Sequence, residues 1–133
     1  MEHHPVFSHF QPFRGMVEAN YGVDFLGTRI RRDFVAELYT RPDLSLWEMG
    51  YPPVNEDYLE WIDLLESVVE ARGSYTMVEL GAGFGRWVVR AAFAVKQIHA
   101  QMPCRLVAVE AEPVTFRWMK QHFEENGVAD IEQ

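Results

Sequence analysis

Two carboxylates and three glycines are the residues of this chain whose types and spacing could do chemistry. Glu79 lies in the apolar run Met77-Val78-Glu79-Leu80, and Gly81, Gly83 and Gly85 follow at alternate positions, with Ala82 and Phe84 between them. Glu110 closes a second apolar run, Leu106-Val107-Ala108-Val109, with Ala111 directly behind it. Glycine is needed where the backbone takes positive φ or must come closer to a ligand than a Cβ allows, so this spacing predicts a ligand lying against main chain. A carboxylate at a strand end can accept hydrogen bonds from two adjacent ribose hydroxyls, while loop N–H groups face an anionic part. The combination reads as a nucleotide-cofactor loop at the end of a buried strand.

The elements that must position these residues are legible in the hydrophobic pattern. Arg86 to Met102 carries Val88, Ala91, Ala92, Val95 and Ile98 at helical spacing, and Pro103 bars its continuation. The run ending at Glu110 has the form of a parallel strand covered on both faces. Pro113 opens a further helix with Phe116, Met119 and Phe123 on one face, and Asn126-Gly127 closes it. Val128 to Gln133 reads as the start of a third strand. Two parallel strands joined by a helix cross over right-handed, which brings the glycine loop and Glu110 to one carboxyl edge of the sheet, where open α/β sheets bind ligands.

The spacing also excludes classes. A dinucleotide fold wants G-x-G-x-x-G, but from Gly81 the third glycine would fall at Arg86, and from Gly83 at Val88. No Gly-Lys-Ser/Thr follows the loop, so it is not a phosphate-cradling P-loop. A nicotinamide-dependent oxidoreductase is disfavoured on the first ground.

The run E-L-G-A-G-F-G followed by V-A-V-E-A-E-P resembles the first two motifs of class I S-adenosylmethionine-dependent methyltransferases, and the FkbM-type branch is the nearest likeness. In that branch the second motif ends in an acid followed by proline and then a helix finishing in Asn-Gly, as Glu110, Pro113 and Asn126-Gly127 do. Asn55-Glu56-Asp57-Tyr58-Leu59-Glu60-Trp61 and Gly85-Arg86-Trp87 share the likeness, which covers residues 55 to 133. The resemblance implies S-adenosyl-L-methionine as cofactor. Glu79 and the backbone at Gly81 and Gly83 would surround its methionine part, Ala82 and Gly85 would belong to the same cofactor-binding loop, Glu110 would hold the ribose hydroxyls, and Ala111 would lie against the adenine. It also implies a small-molecule or sugar hydroxyl as methyl acceptor. The Gly85 to Glu110 spacing is longer than the family leads one to expect, and no catalytic base is identifiable.

On this reading the fold is α/β, a Rossmann-like parallel sheet with flanking helices that stops after about the third strand. Residues 1–54 form a mainly helical extension, and residues 55–133 a partial S-adenosylmethionine-binding domain. The chain is then the amino-terminal portion of a methyltransferase, a fragment or a natural truncation. A sheet open beside its first strand invites pairing with another copy, so a noncatalytic module that self-associates is the alternative.

Composition sets the remaining bounds. The 133 residues suffice for one domain, and the 48% hydrophobic content can supply its core. A net charge of −8 opposes a nucleic-acid partner, and Arg29, Arg31 and Arg32 are the main basic cluster, read as a solvated face. The single cysteine, Cys104, excludes an internal disulfide and reads as a small core residue in a cytoplasmic protein. No run suits a membrane span or a secretory leader. His3, His4 and His9 lack Cys or carboxylate partners at ligand spacing, so no metal site is expected, and His99 and His122 read as surface or boundary residues.

Upstream, Asn55 is placed to cap a helix from Glu56 to about Arg72, with Tyr58, Trp61, Ile62, Leu65, Val68 and Val69 as its apolar stripe. Gly50-Tyr51-Pro52-Pro53 is a breaker before it. Asp33 to Tyr39 could make a helical turn or two, and Tyr21 to Ile30 a hairpin around Leu26-Gly27. Phe7, Phe10, Phe13, Tyr21, Phe25 and Trp47 read as packing onto the main domain before they read as a substrate entrance.

Overall fold

The computed structural model describes residues 2–35 and 43–133. A 3-10 turn, Pro5–His9, is followed by strands β1 (Arg14–Glu18), β2 (Tyr21–Val23) and β3 (Arg29–Arg31), a short helix α1 (Arg32–Val35) and strand β4 (Leu44–Glu48). Helix α2 (Tyr58–Glu70), strand β5 (Tyr75–Leu80), helix α3 (Arg86–Ile98), strand β6 (Cys104–Val109) and helix α4 (Pro113–Glu125) complete the described elements. The architecture is mixed α/β, with two antiparallel strand pairs and one parallel pair.

The antiparallel pairs are β1 with β4 and β2 with β3. The stretch before residue 55 is therefore built largely of strands where the pattern predicted helix. Its pairing joins Arg14 to Glu48 across the intervening chain, a non-local contact that local periodicity does not report. The expected hairpin forms, with Asp24 accepting bonds from Leu26 N and Thr28 N to shape the turn between β2 and β3. Of the predicted turn at Asp33 to Tyr39, the first three residues lie in α1 and the rest fall outside the described residues.

Strands β5 and β6 run parallel, in register from Tyr75 opposite Cys104 to Leu80 opposite Val109, and α3 connects them. Residues paired in a parallel ladder share a face. Leu106 and Ala108 turn inward under α3, while Val78, Leu80 and Val109 turn outward and are roughly half exposed or more. The expectation of burial on both faces fails here, because the helices pack against the inner face alone among the described residues. The chain end contributes a single parallel bridge, Val107 with Glu132, bonded through Ala108 N and Glu132 N.

One hydrophobic cluster runs from Val6, Phe7, Phe10 and Phe25 through Trp61, Leu65 and Val68 to Val88, Val89, Met119, Phe123 and Ile131. Phe7, Phe10 and Phe25 thus pack into the core, as their aromatic character predicted. Helix α2 buries Trp61, Leu64, Leu65 and Val68 on the face the stripe marked. It begins at Tyr58: Asn55 accepts a bond from Asp57 N, and Asp57 spends its carboxylate on Arg86 in place of capping. Helix α3 ends at Ile98, short of Met102, with His99 donating its N–H to Val95. Cys104 is exposed at the start of β6, although Tyr75 opposite it is buried and bonded to Ser67 of α2. His122 is 1% exposed, which corrects its reading as a surface or boundary residue: it falls on the inner face of α4 beside Met119 and Phe123. Among the described residues no helix is long and apolar enough to cross a membrane.

Candidate functional site

The loop between β5 and α3 is fixed by one hydrogen bond to β6 and one within itself. Ala82 N donates to Val109 O at 2.9 Å and Gly85 N to Ala82 O at 2.8 Å, which folds the loop over the end of β6. Gly81, Gly83 and Gly85 all take left-handed φ, between 59° and 77°, a region costly to residues with a Cβ. Their surroundings differ. A Cβ at Gly81 or Gly83 would meet nothing within 4 Å, whereas one at Gly85 would strike Phe123 and approach Met119. The first two glycines leave their backbone open on one side; the third allows α3 to pack on α4.

Glu110 stands at the carboxyl end of β6 and reaches the loop. Its Oε2 accepts from Gly83 N at 2.8 Å and its Oε1 from Glu112 N at 2.8 Å. These N–H groups, the Glu112 one first, hold its carboxyl below the usual carboxylate range. Next to it Glu112 caps α4, accepting from Thr115 Oγ1, Val114 N and Thr115 N, which lowers its pKa to about 2. The ionised carboxylate therefore lies at the positive end of the helix.

Glu79 takes the corresponding position at α3. The N-cap residue there is Gly85, which has no side chain, and Glu79 Oε2 accepts from Val88 N at 3.0 Å. Burial pushes the Glu79 carboxyl up, and the Val88 and Trp87 N–H groups pull in the opposite direction. One of its oxygens is thus committed to the protein. Ala82 is buried in the core, so its contribution to the loop is main chain, and Ala111 is exposed beside Glu110.

Sequence pattern missed how the loop is supported from elsewhere. Phe84 rests edge-on against His122 at 5.1 Å and beside Phe34 of α1 at 5.4 Å, and Phe34 stacks on Trp118 of α4 at 4.9 Å. Arg86, first in α3, forms a two-bond pair with Asp57 at 3.1 and 3.3 Å. One turn on, Arg90 packs against the rings of Trp61 and Trp87, at 4.2 and 4.4 Å, and donates to Asp24 at 2.9 Å. A positively charged residue amid Val88, Val89 and Ala91 was the available signal, since a charge on a buried stripe requires a partner. Arg29 and Arg31 are likewise not a free basic patch: they pair with Glu18 and Glu125. Among the described residues no group of three His, Cys, Asp or Glu side chains is placed to hold a metal ion.

The chain is 32% identical over 108 residues to a curated protein of Jannaschia sp. (strain CCS1) named "Putative methyltransferase". That match covers 79% of this chain and 37% of the relative, so the chain spans little more than a third of its length. No family model matches the chain, and no solved structure gives a significant match.

Proposed function

We propose that this chain carries the cofactor-binding part of an S-adenosylmethionine-dependent methyltransferase with a Rossmann-like core, of FkbM type, acting on a hydroxyl of a small molecule or sugar. The observation that supports it most is the 2.8 Å bond from Gly83 N to the Glu110 carboxylate across the ends of two parallel strands, beside glycines whose missing Cβ atoms leave open space. The likeness to the Jannaschia protein supports the same reading.

The residues fit such a ligand by their donor and acceptor capacity. Glu110 keeps lone pairs beyond its two backbone bonds and would accept from the ribose hydroxyls. Gly81 and Gly83 would let the methionine part lie against backbone, and Ala111, small and exposed, would lie along the adenine. Bound S-adenosylmethionine supplies a sulfonium methyl that is already activated; the chain's task is to align the acceptor with it and exclude water. The single cysteine fits a cytoplasmic setting for this activity.

Calorimetric titration with S-adenosylhomocysteine tests the reading, using the wild-type chain and a Glu110→Ala variant shown to be folded. Binding in the wild type that the variant loses is the expected result, and a nicotinamide dinucleotide should not compete. A folded wild type that binds nothing would count against an autonomous cofactor site.

A second reading is favoured by one observation: the outward face of β5 and β6 presents Val78, Leu80 and Val109 to solvent, although parallel strands are ordinarily covered on both faces. On that reading the chain self-associates through this face or the edge of β5 that no described strand pairs.

A further inference from the structure

We propose that the cavity beside Arg90, between the amino-terminal strands and α2–α3, is a binding site for a small, neutral, hydroxyl-bearing ring molecule. This site is separate from the glycine loop and does not depend on the cofactor reading. The cavity measures about 250 Å³ and is lined by residues from four parts of the chain, among them Phe25, Tyr51, Asn55, Asp57, Trp61 and Arg90. A water's share of liquid volume is about 30 Å³, so the space admits one small ring with its substituents.

Arg90 supplies the argument for a polar occupant. Its side chain is 6% exposed, and the guanidinium packs against the indoles of Trp61 and Trp87, which meet each other edge to face at 5.5 Å. Nε is taken by Asp24, whereas Nη1 is buried with no hydrogen-bond partner. A donor left unsatisfied in the interior is costly, and an acceptor delivered into the cavity would relieve that cost after a small side-chain adjustment.

Charge and capacity select the chemical class. Asp24 balances Arg90, and Asp57 balances Arg86, so the surroundings of the cavity carry no net charge to attract an ion. Asp24 cannot take more, since its oxygens already serve Leu26 N, Thr28 N, Thr28 Oγ1 and Arg90 Nε. Asp57 has acceptor capacity beyond its bonds to Arg86, and the amide of Asn55 has free donors, because its oxygen serves Asp57 N. A carboxylate ligand would face Asp57. A hydroxyl suits both sides, donating to Asp57 and accepting from Arg90 or Asn55, while Phe25, Tyr51 and Trp61 offer apolar walls to ring carbons.

Titrating the wild-type chain with myo-inositol, glucose and mannose, with cyclohexanecarboxylate as the anionic comparison, tests this through tryptophan emission, since Trp61 and Trp87 flank Arg90. At least one polyol should give a saturable change. Asp57→Asn and Asn55→Leu, each checked for native circular dichroism, should weaken it at least fivefold, and Asn55→Leu should leave S-adenosylhomocysteine binding, if present, within twofold. No saturable response to any of the three polyols overturns the proposal. So does a response to the carboxylate alone, or an affinity that both variants leave unchanged.

Discussion

The backbone at Gly85 passes so close to the ring of Phe123 that a methyl group there would stand 2.7 Å from Cζ, while the same group at Gly83 would touch nothing. Both residues have positive φ, so replacing either by alanine carries a conformational cost of about 1–2 kcal/mol. Gly85→Ala should add overpacking of about 1–3 kcal/mol. Urea denaturation should therefore rank Gly85→Ala well below Gly83→Ala in stability. Calorimetry should show the reverse emphasis, with Gly83→Ala folded but impaired in S-adenosylhomocysteine binding. Equal stabilities would refute the division of labour between the two glycines.

Glu79 is held at the start of α3 with its carboxyl raised above the ordinary 4.5 by burial. A raised folded-state pKa gives stabilisation that is complete below 4.5 and is lost as pH climbs through the folded value. Glu79→Gln retains an oxygen that can accept from Val88 N and cannot ionise. Relative to wild type, its melting temperature should therefore improve from pH 4.5 to pH 7. A constant difference between the two proteins across that range would mean that the carboxyl titrates as it does in the unfolded chain.

His122 has the opposite slope. Burial, with Arg90 adding to it and Asp24 opposing, lowers its pKa from 6.5 to about 4. The unfolded chain takes up this proton first, so stability is complete above 6.5 and falls as pH drops from 6.5 towards 4, by on the order of 3 kcal/mol. His122→Leu removes the titrating ring. Its urea midpoint should vary less between pH 7 and pH 5 than that of wild type, and an unchanged slope would assign the acid sensitivity to other groups.

Leu80 is 77% exposed on the outer face of β5. If that face mediates self-association, sedimentation of the wild type at 100 µM should show a species heavier than the 15.5 kDa chain, and Leu80→Glu should return it to the monomer. A wild type that sediments as a monomer would remove the second reading.

The strand, glycine loop, helix, strand and capped helix from Tyr75 to Glu125 were legible because each is written in local terms: an apolar run, a glycine spacing, a 3.6-residue stripe, a proline start. Glu110 was identifiable for the same reason, since its place at a strand end follows from the run before it. Long-range relationships were not legible. β1 meets β4 across some thirty residues, and the two-stranded ribbon leaves Met16, Leu44 and Leu46 exposed, which blurs the alternation that marks a strand. Cys104 and His122 were misplaced because their burial depends on what packs above them, not on their neighbours in sequence. Arg90 was the readable exception that went unread.

The Asp24–Arg90 pair crosses from the β2–β3 turn to the middle of α3, and its guanidinium rests against indoles from α2 and α3. Release of the amino-terminal strands would strand that cation among the aromatic rings, and collapse of the α/β half would leave Asp24 without its counter-ion. Neither half can come apart quietly. Heat should therefore melt the chain in one cooperative step, with amides of β2 and of α3 exchanging their hydrogens at matching rates.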